Sequence, residues 1–134
     1  MKKILLLLLV TISLVSCLQH EEPKRLLHIL PVIEATVPDS FTYGEVDTLT
    51  VSYTLPNGCY FYTGLYYEYQ DTARVVAIKA LEDLEAFCAQ ATDEHELKFP
   101  VLASQHEDYL FKFWKGEDMD GNDIFEEIVV PVND

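Results

Sequence analysis

The sequence predicts an all-β domain, a two-sheet antiparallel sandwich of about seven short strands. Three observations carry that prediction. Apolar and polar residues alternate through VDTLTVSYTLP, where Leu49, Val51, Tyr53 and Leu55 interleave with Thr48, Thr50, Ser52 and Thr54. A period of two marks a strand with one face in a core and the other in water. Turn-forming clusters, Pro56-Asn57-Gly58 and Asp118 to Asp123 among them, separate short apolar segments. Those segments are rich in β-branched and aromatic residues, including eight tyrosines and seven phenylalanines, which suit a pleated, half-buried surface.

In chain order, PVIEATVP (Pro31 to Pro38) suits a first edge strand, because proline cannot donate to a ladder and is tolerated at strand ends and edges. SFTYGE then turns the chain into the alternating strand just described. Pro56, Asn57 and Gly58 read as a tight hairpin connection, since Asn and Gly accept the positive φ of such turns. CYFYTGLYYEYQ follows as a long aromatic strand, bulged at Gly64, and ARVVAIKA as another. EDLEAFCAQA reads as strand, loop, strand; Leu81, Leu84, Phe87, Cys88 and Ala91 also fit one face of a short crossover helix, the alternative over residues 81–91. HELKFPVLA, DYLFKFW and IFEEIVVPV complete the set, with EDMDGND as the hairpin between the last two. No Gly/Ser-rich linker, low-complexity tract or internal repeat interrupts the run.

The N-terminus has a different character. Met1, Lys2 and Lys3 precede the apolar run ILLLLLV and then TISLVS, ending at Cys17, a signal-peptide pattern. The stretch from Ile4 to Val15 is shorter than the roughly 20 residues needed to cross a hydrocarbon core as a helix. Leu14, Val15, Ser16 and Cys17 resemble the lipobox of bacterial lipoproteins. That resemblance implies cleavage before Cys17 after its thiol has received a diacylglyceryl group, with palmitate-like acyl chains as the anchor. Two or three chains, at about 0.8 kcal/mol per buried CH₂, hold a protein far more firmly than one. The expected division is a cleaved signal over residues 1–16, a lipidated Cys and tether over 17–30, and the sandwich over 31–134. In the Gram-negative sorting pattern that this resembles, Asp after the lipidated Cys retains a lipoprotein at the inner membrane. Leu18 stands there instead, so the outer membrane is expected. Glu21 and Glu22 resemble short acidic surface-export signals, and the choice between periplasmic and external face stays open.

Without residues 1–16 the chain keeps 118 residues, one domain's worth. The leader holds two of the nine basic residues and none of the 23 acidic ones, which leaves a net charge of −16. Such a charge argues against nucleic acid, whose affinity rests on Lys and Arg at phosphates, and against charge-driven docking on anionic lipid. It suits solubility at a crowded surface. With Cys17 committed to lipid, Cys59 and Cys88 form an even pair in an oxidising compartment and are expected to make a disulfide. Closing a loop of about 30 residues contributes roughly 3 to 4 kcal/mol in the chain-entropy model. A reactive thiol with His95 or His106 as base would need an orienting partner that the sequence does not offer.

HEDYLFKFW resembles the stretch of immunoglobulin-like domains in which a Tyr near the start of the penultimate strand forms a tyrosine corner, and IFEEIVVPV resembles their final strand. The resemblance implies an immunoglobulin-like sandwich with Tyr109 as the corner residue. The sequence departs from antibody-type domains in its cysteines: Cys59 starts the third strand and Cys88 follows the fourth, so the usual inter-sheet disulfide is absent.

The most suggestive chemistry is DMDGND, where Asp118, Asp120, Asn122 and Asp123 could offer oxygens to Ca²⁺ around Gly121. An EF-hand places Gly sixth and Glu twelfth; here Gly is fourth and Val129 twelfth, and a hairpin tip is rich in Asp and Gly for turn reasons alone. On strict alternation Tyr60, Tyr62 and Tyr66 share one face of the aromatic strand and Phe61, Leu65, Tyr67 and Tyr69 the other. One set enters the core; the first is the candidate for an exposed aromatic patch that binds a protein or glycan. Trp114, beside Phe111 and Phe113, reads as core. His20, His28, His95 and His106 show no zinc spacing, and no GxSxG, HExxH, P-loop or dinucleotide fingerprint occurs. The expectation is a non-enzymatic, outer-membrane-anchored binding or accessory module for an envelope protein partner, using a sheet edge or the Tyr60, Tyr62, Tyr66 face. The alternative is a glycan- or small-ligand-binding module, with or without the help of calcium. Neither needs a cofactor beyond the covalent lipid.

Overall fold

The alternation read from 48 to 55 becomes strand β4 (Val46–Leu55), in which Leu49, Val51, Tyr53 and Leu55 are buried and the interleaved residues are not. The computed structural model describes Glu22 and residues 24–134; the signal segment, Cys17 and His20 lie outside the described residues. Nine further strands accompany β4: β1 (Arg25–Leu30), β2 (Glu34–Thr36), β3 (Phe41–Thr42), β5 (Tyr60–Gln70), β6 (Ala73–Asp83), β7 (Asp93–Leu102), β8 (Tyr109–Glu117), β9 (Asp123–Val130) and β10 (Val132–Asn133).

They form a two-sheet β-sandwich. The smaller sheet runs β2–β4–β7, with β2 the short edge strand expected between Pro31 and Pro38. The larger holds β1, β5, β6, β8 and β9, with β6 at its centre. One edge of β6 pairs along β5. The other is shared: β1 takes Ile78 to Asp83 and β8 takes Ala73 to Val76. β3 and β10 pair separately and pin the C-terminus, with Phe41 N–H donating to Pro131 O at 2.8 Å.

Three expectations are corrected. β1 lies inside the stretch read as tether, so the sandwich begins by Arg25 rather than Pro31. Pro56-Asn57-Gly58 is no hairpin, because β4 and β5 belong to different sheets. Asn57 Oδ1 accepts from Cys59 N–H at 2.9 Å, an Asx turn that carries the chain across the core. The sheets are not wholly antiparallel: β6–β8 and β3–β10 are parallel, since β7 crosses to the smaller sheet between β6 and β8. Residues 84–92 hold no helix; β6 ends at Asp83 and the chain loops to β7, the strand, loop, strand reading.

The core fills the space between the sheets. Phe41, Tyr109, Phe111 and Phe113 are fully buried. Phe41 meets Tyr109 edge-on at 5.1 Å between centroids, and Phe111 stacks with Tyr109 and Phe113 at 5.8 and 5.9 Å. The Tyr109 hydroxyl donates to Leu102 O at 3.3 Å and accepts from Ser104 N–H at 3.0 Å. This is the upstream backbone anchoring that defines a tyrosine corner. Cys59 and Cys88 form a disulfide with Cα atoms 5.3 Å apart, clamping the loop after β6 to the start of β5.

Candidate functional site

The outer face of the larger sheet carries the most site-like surface. Its floor is the first half of β6, where the outward residues are small: Ala73, Val75 and Ala77. On either side the strands carry large side chains, Tyr66 and Glu68 from β5 and Trp114 from β8, with Phe125 beyond on β9. A small-residue strand between bulky neighbours is a groove by construction, here with a volume of about 450 Å³ and Ile29 of β1 at its end.

A bulge decides which β5 side chains reach it. Pairing with β6 shifts between Tyr62 and Gly64, leaving Thr63 as the extra residue. One added residue turns every later side chain to the opposite face. Tyr60 and Tyr62 therefore share the inward face with Leu65, Tyr67 and Tyr69, while Phe61, Tyr66, Glu68 and Gln70 point outward. The expected Tyr60, Tyr62, Tyr66 face is split: Tyr62 leans on Tyr53 at 5.8 Å and Tyr60 on His28 at 5.1 Å, and only Tyr66 enters the groove. A second irregularity lies between Trp114 and Gly116, whose φ of 108° suits glycine. It lets the β8–β9 hairpin fold Glu117 and Asp123 toward the groove.

The groove side chains are held in place. Trp114 Nε1–H donates to Asp123 Oδ1 at 2.8 Å, fixing the indole. The Tyr66 hydroxyl donates to Glu68 Oε2, and Gln70 Nε2 to Glu68 Oε1 at 3.1 Å. The Tyr66 hydroxyl, with Gln70 second, holds the Glu68 carboxyl below its ordinary range, and the same bond pushes the Tyr66 phenol up. The charged residues lining the groove, Glu68, Glu117 and Asp123, are all acidic. Lys112 lies over the Phe125 ring at 4.6 Å on the same face.

A second concavity, about 330 Å³, opens between the sheets beside Tyr67, Phe99 and Tyr109. Its charge is Arg74, 4 % exposed, whose guanidinium donates to Asp71 O, Ala73 O and Gln105 Oε1 at 2.9, 2.8 and 2.7 Å and lies over the Tyr69 and Tyr109 rings. With those partners it serves as an internal brace between the β5–β6 turn and the loop before β8.

The DMDGND loop is likewise self-contained. Asp118 Oδ1 accepts from the backbone N–H groups of Asp120 and Asn122 at 2.8 and 2.9 Å, and from Asn122 Nδ2. The bonds from Asn122 lead in holding its carboxyl below the ordinary range. Gly121 supplies the left-handed φ of 81°. Asp123 is turned away to Trp114, and no three Asp, Glu, His or Cys side chains converge on a metal position among the described residues.

Sequence reasoning missed Trp114, assigned to the core with Phe111 and Phe113. Alternation along β8 carried the signal, because Phe111 and Phe113 share one face and Trp114 falls on the other with Lys112. Glu68 was also missed, although plain alternation carried the signal: residues i and i+2 of a strand share a face, so Glu68 stands beside Tyr66 whichever face that is.

No curated protein and no solved structure matches the chain. A family model described as the ORF11 beta-sandwich domain matches residues 49–129, a span from β4 through β9 that includes the disulfide, the Thr63 bulge and every groove residue except Ile29. Matched over more than half its length with the expected two-sheet architecture, the chain belongs to the ORF11 beta-sandwich domain family.

Proposed function

We propose that the chain is a lipoprotein tethered to the outer membrane through Cys17, and that its sandwich is a non-enzymatic binding module whose groove takes a neutral, polyhydroxylated ligand, a glycan. The carrying observation is the grouping of Tyr66, Trp114 and Phe125 around a floor of small residues, with ionised Glu68 and the Asp123-braced indole beside them. Aromatic surfaces accept the C–H faces of a sugar ring while carboxylates accept bonds from its hydroxyls. The acidic lining disfavours anionic ligands. A glycosidase acid needs a raised carboxyl pKa; Glu68 is shifted the opposite way.

The test is a panel of immobilised neutral, cationic and anionic glycans probed with the full-length chain in detergent and with Trp114→Ala. Binding confined to neutral glycans and weakened about tenfold or more by the substitution, the equivalent of 1.4 kcal/mol, supports the reading. Equal binding by both chains, or none to any neutral glycan, overturns it.

A second reading, a protein partner adding a strand along β5, is favoured by its outer edge, unpaired among the described residues and 11 residues long without Pro or Lys. It predicts that a photo-crosslinker at Tyr69 captures one envelope protein and that capture survives Trp114→Ala.

A further inference from the structure

The end of the sandwich at which the described chain begins displays several large apolar side chains. Phe87, in the loop after β6, is 107 % exposed, and Leu84, Leu27 and Leu26 are 54, 57 and 49 % exposed. They lie at one end of the larger sheet, Leu27 on its outer face and Leu26 on the opposite one. Leu84 N–H donates to Lys24 O at 3.0 Å, and Leu27 pairs with Leu81, which pairs in turn with Phe61. The disulfide at Cys88 and the bond from Gly58 N–H to Ala89 O at 2.9 Å hold the Phe87 loop against this end. Large aliphatic and aromatic side chains displayed this fully are what interaction surfaces carry, because leaving them in water gains nothing for the fold.

We infer that this end is a membrane-contacting face, with Phe87 and Leu84 entering the lipid headgroup region of the bilayer that holds the acyl anchor. The inference rests on the lipoprotein reading. Six residues lie between Cys17 and Lys24, and a chain extends at most about 3.3 to 3.6 Å per residue, so Lys24, at the edge of the patch, stays within roughly 25 Å of the lipidated cysteine. A short tether raises the effective concentration of the second contact to about millimolar, so a patch too weak to bind lipid alone is held there. The charges around it fit a zwitterionic surface better than an anionic one: Lys24 and Arg25 are set among Glu82, Asp83 and Glu85, with Lys24 and Glu85 3.9 Å apart. At this face the anchor would restrict the domain's tilt rather than leave it swinging.

The purified full-length lipoprotein is reconstituted into phosphatidylcholine vesicles with and without lipids brominated near the top of the acyl chains. Three chains are compared: wild type, whose sole tryptophan is Trp114, and the doubles Phe87→Trp/Trp114→Phe and Leu84→Trp/Trp114→Phe. Intact mass and vesicle flotation report the anchor separately. The expected result is flotation of all three, with emission of at least one double quenched about twofold or more at interfacial depth and wild-type emission unchanged. Flotation with neither double quenched overturns the membrane face while leaving the anchor intact, as does crosslinking of position 87 to a second copy or to another protein. An unacylated Cys17 with no flotation overturns the anchor reading and this inference with it.

Discussion

The two faces of the larger sheet bury β6 to a similar degree by opposite means. Inward, Val76, Ile78 and Ala80 are covered by the other sheet, with Phe111 and Phe113 beside them. Outward, Val75 and Ala77 are equally inaccessible, yet what shields them is the height of Tyr66, Glu68, Trp114 and Phe125 on neighbouring strands. The first face is closed by packing and the second only walled. Burial of a strand residue therefore does not distinguish a core from a binding floor; the size of its neighbours and what lies above them do.

The comparison breaks most sharply on two aromatic residues three positions apart. Phe111→Ala should cost about 3 to 5 kcal/mol, as large-to-small core substitutions do, and be read as a large fall in urea midpoint. Trp114→Ala should cost less than about 1 kcal/mol, the scale of a partly exposed side chain losing one hydrogen bond, while weakening the proposed glycan binding about tenfold or more. Equal losses would mean that the groove wall is core after all. Next in size is the disulfide: Cys59→Ser/Cys88→Ser should lower stability by roughly 3 kcal/mol with the core spectroscopically unchanged, because the link constrains a loop at one end.

The smallest expected effect is alkaline and belongs to the inward face. Burial pushes the Tyr67 phenol from 10.0 up to about 12, against a lowering by Arg74. Its raised value means the folded state keeps a proton that the unfolded state loses, so the contribution is complete below pH 10 and disappears as pH rises from 10 toward 12. Urea midpoints at pH 8 and pH 11 should show that fall, and Tyr67→Phe should flatten it. A fall of the same size in the variant would assign the loss to the other tyrosines.

Much of this was legible before any coordinates. β4 declared itself by alternation, Tyr109 by its place before an aromatic strand, and the cysteine pair by elimination of Cys17. β1 was not legible, because RLLHIL is nearly continuous in apolar residues and sits beside a flexible-looking acidic tether. The site was half legible. Period two along β8 separates Trp114 from Phe111, but the faces of β5 depend on a single unpaired residue. Gly64 marked the place of the bulge, yet strict alternation carried across it put Tyr66 with Tyr60 and Tyr62. Register after a bulge is set by pairing with β6, which no local pattern encodes.

The central place of β6 also constrains the order in which this architecture can be assembled. Only β5 reaches it through a short turn, at Asp71, whose φ of 56° Asp tolerates; β1 must wait for a strand some 50 residues downstream, and β8 arrives only after β7 has been laid in the opposite sheet. Distant pairings of this kind are slow because the chain loses loop entropy before it gains contacts. The β5–β6 hairpin is thus the natural nucleus, and until β1 and β8 arrive its open edge is a target for other chains. A copy stalled at that point would be exposed to aggregation, and oxidation of Cys59 with Cys88, which needs only this hairpin and the loop beyond it, would be the earliest covalent commitment to the native topology.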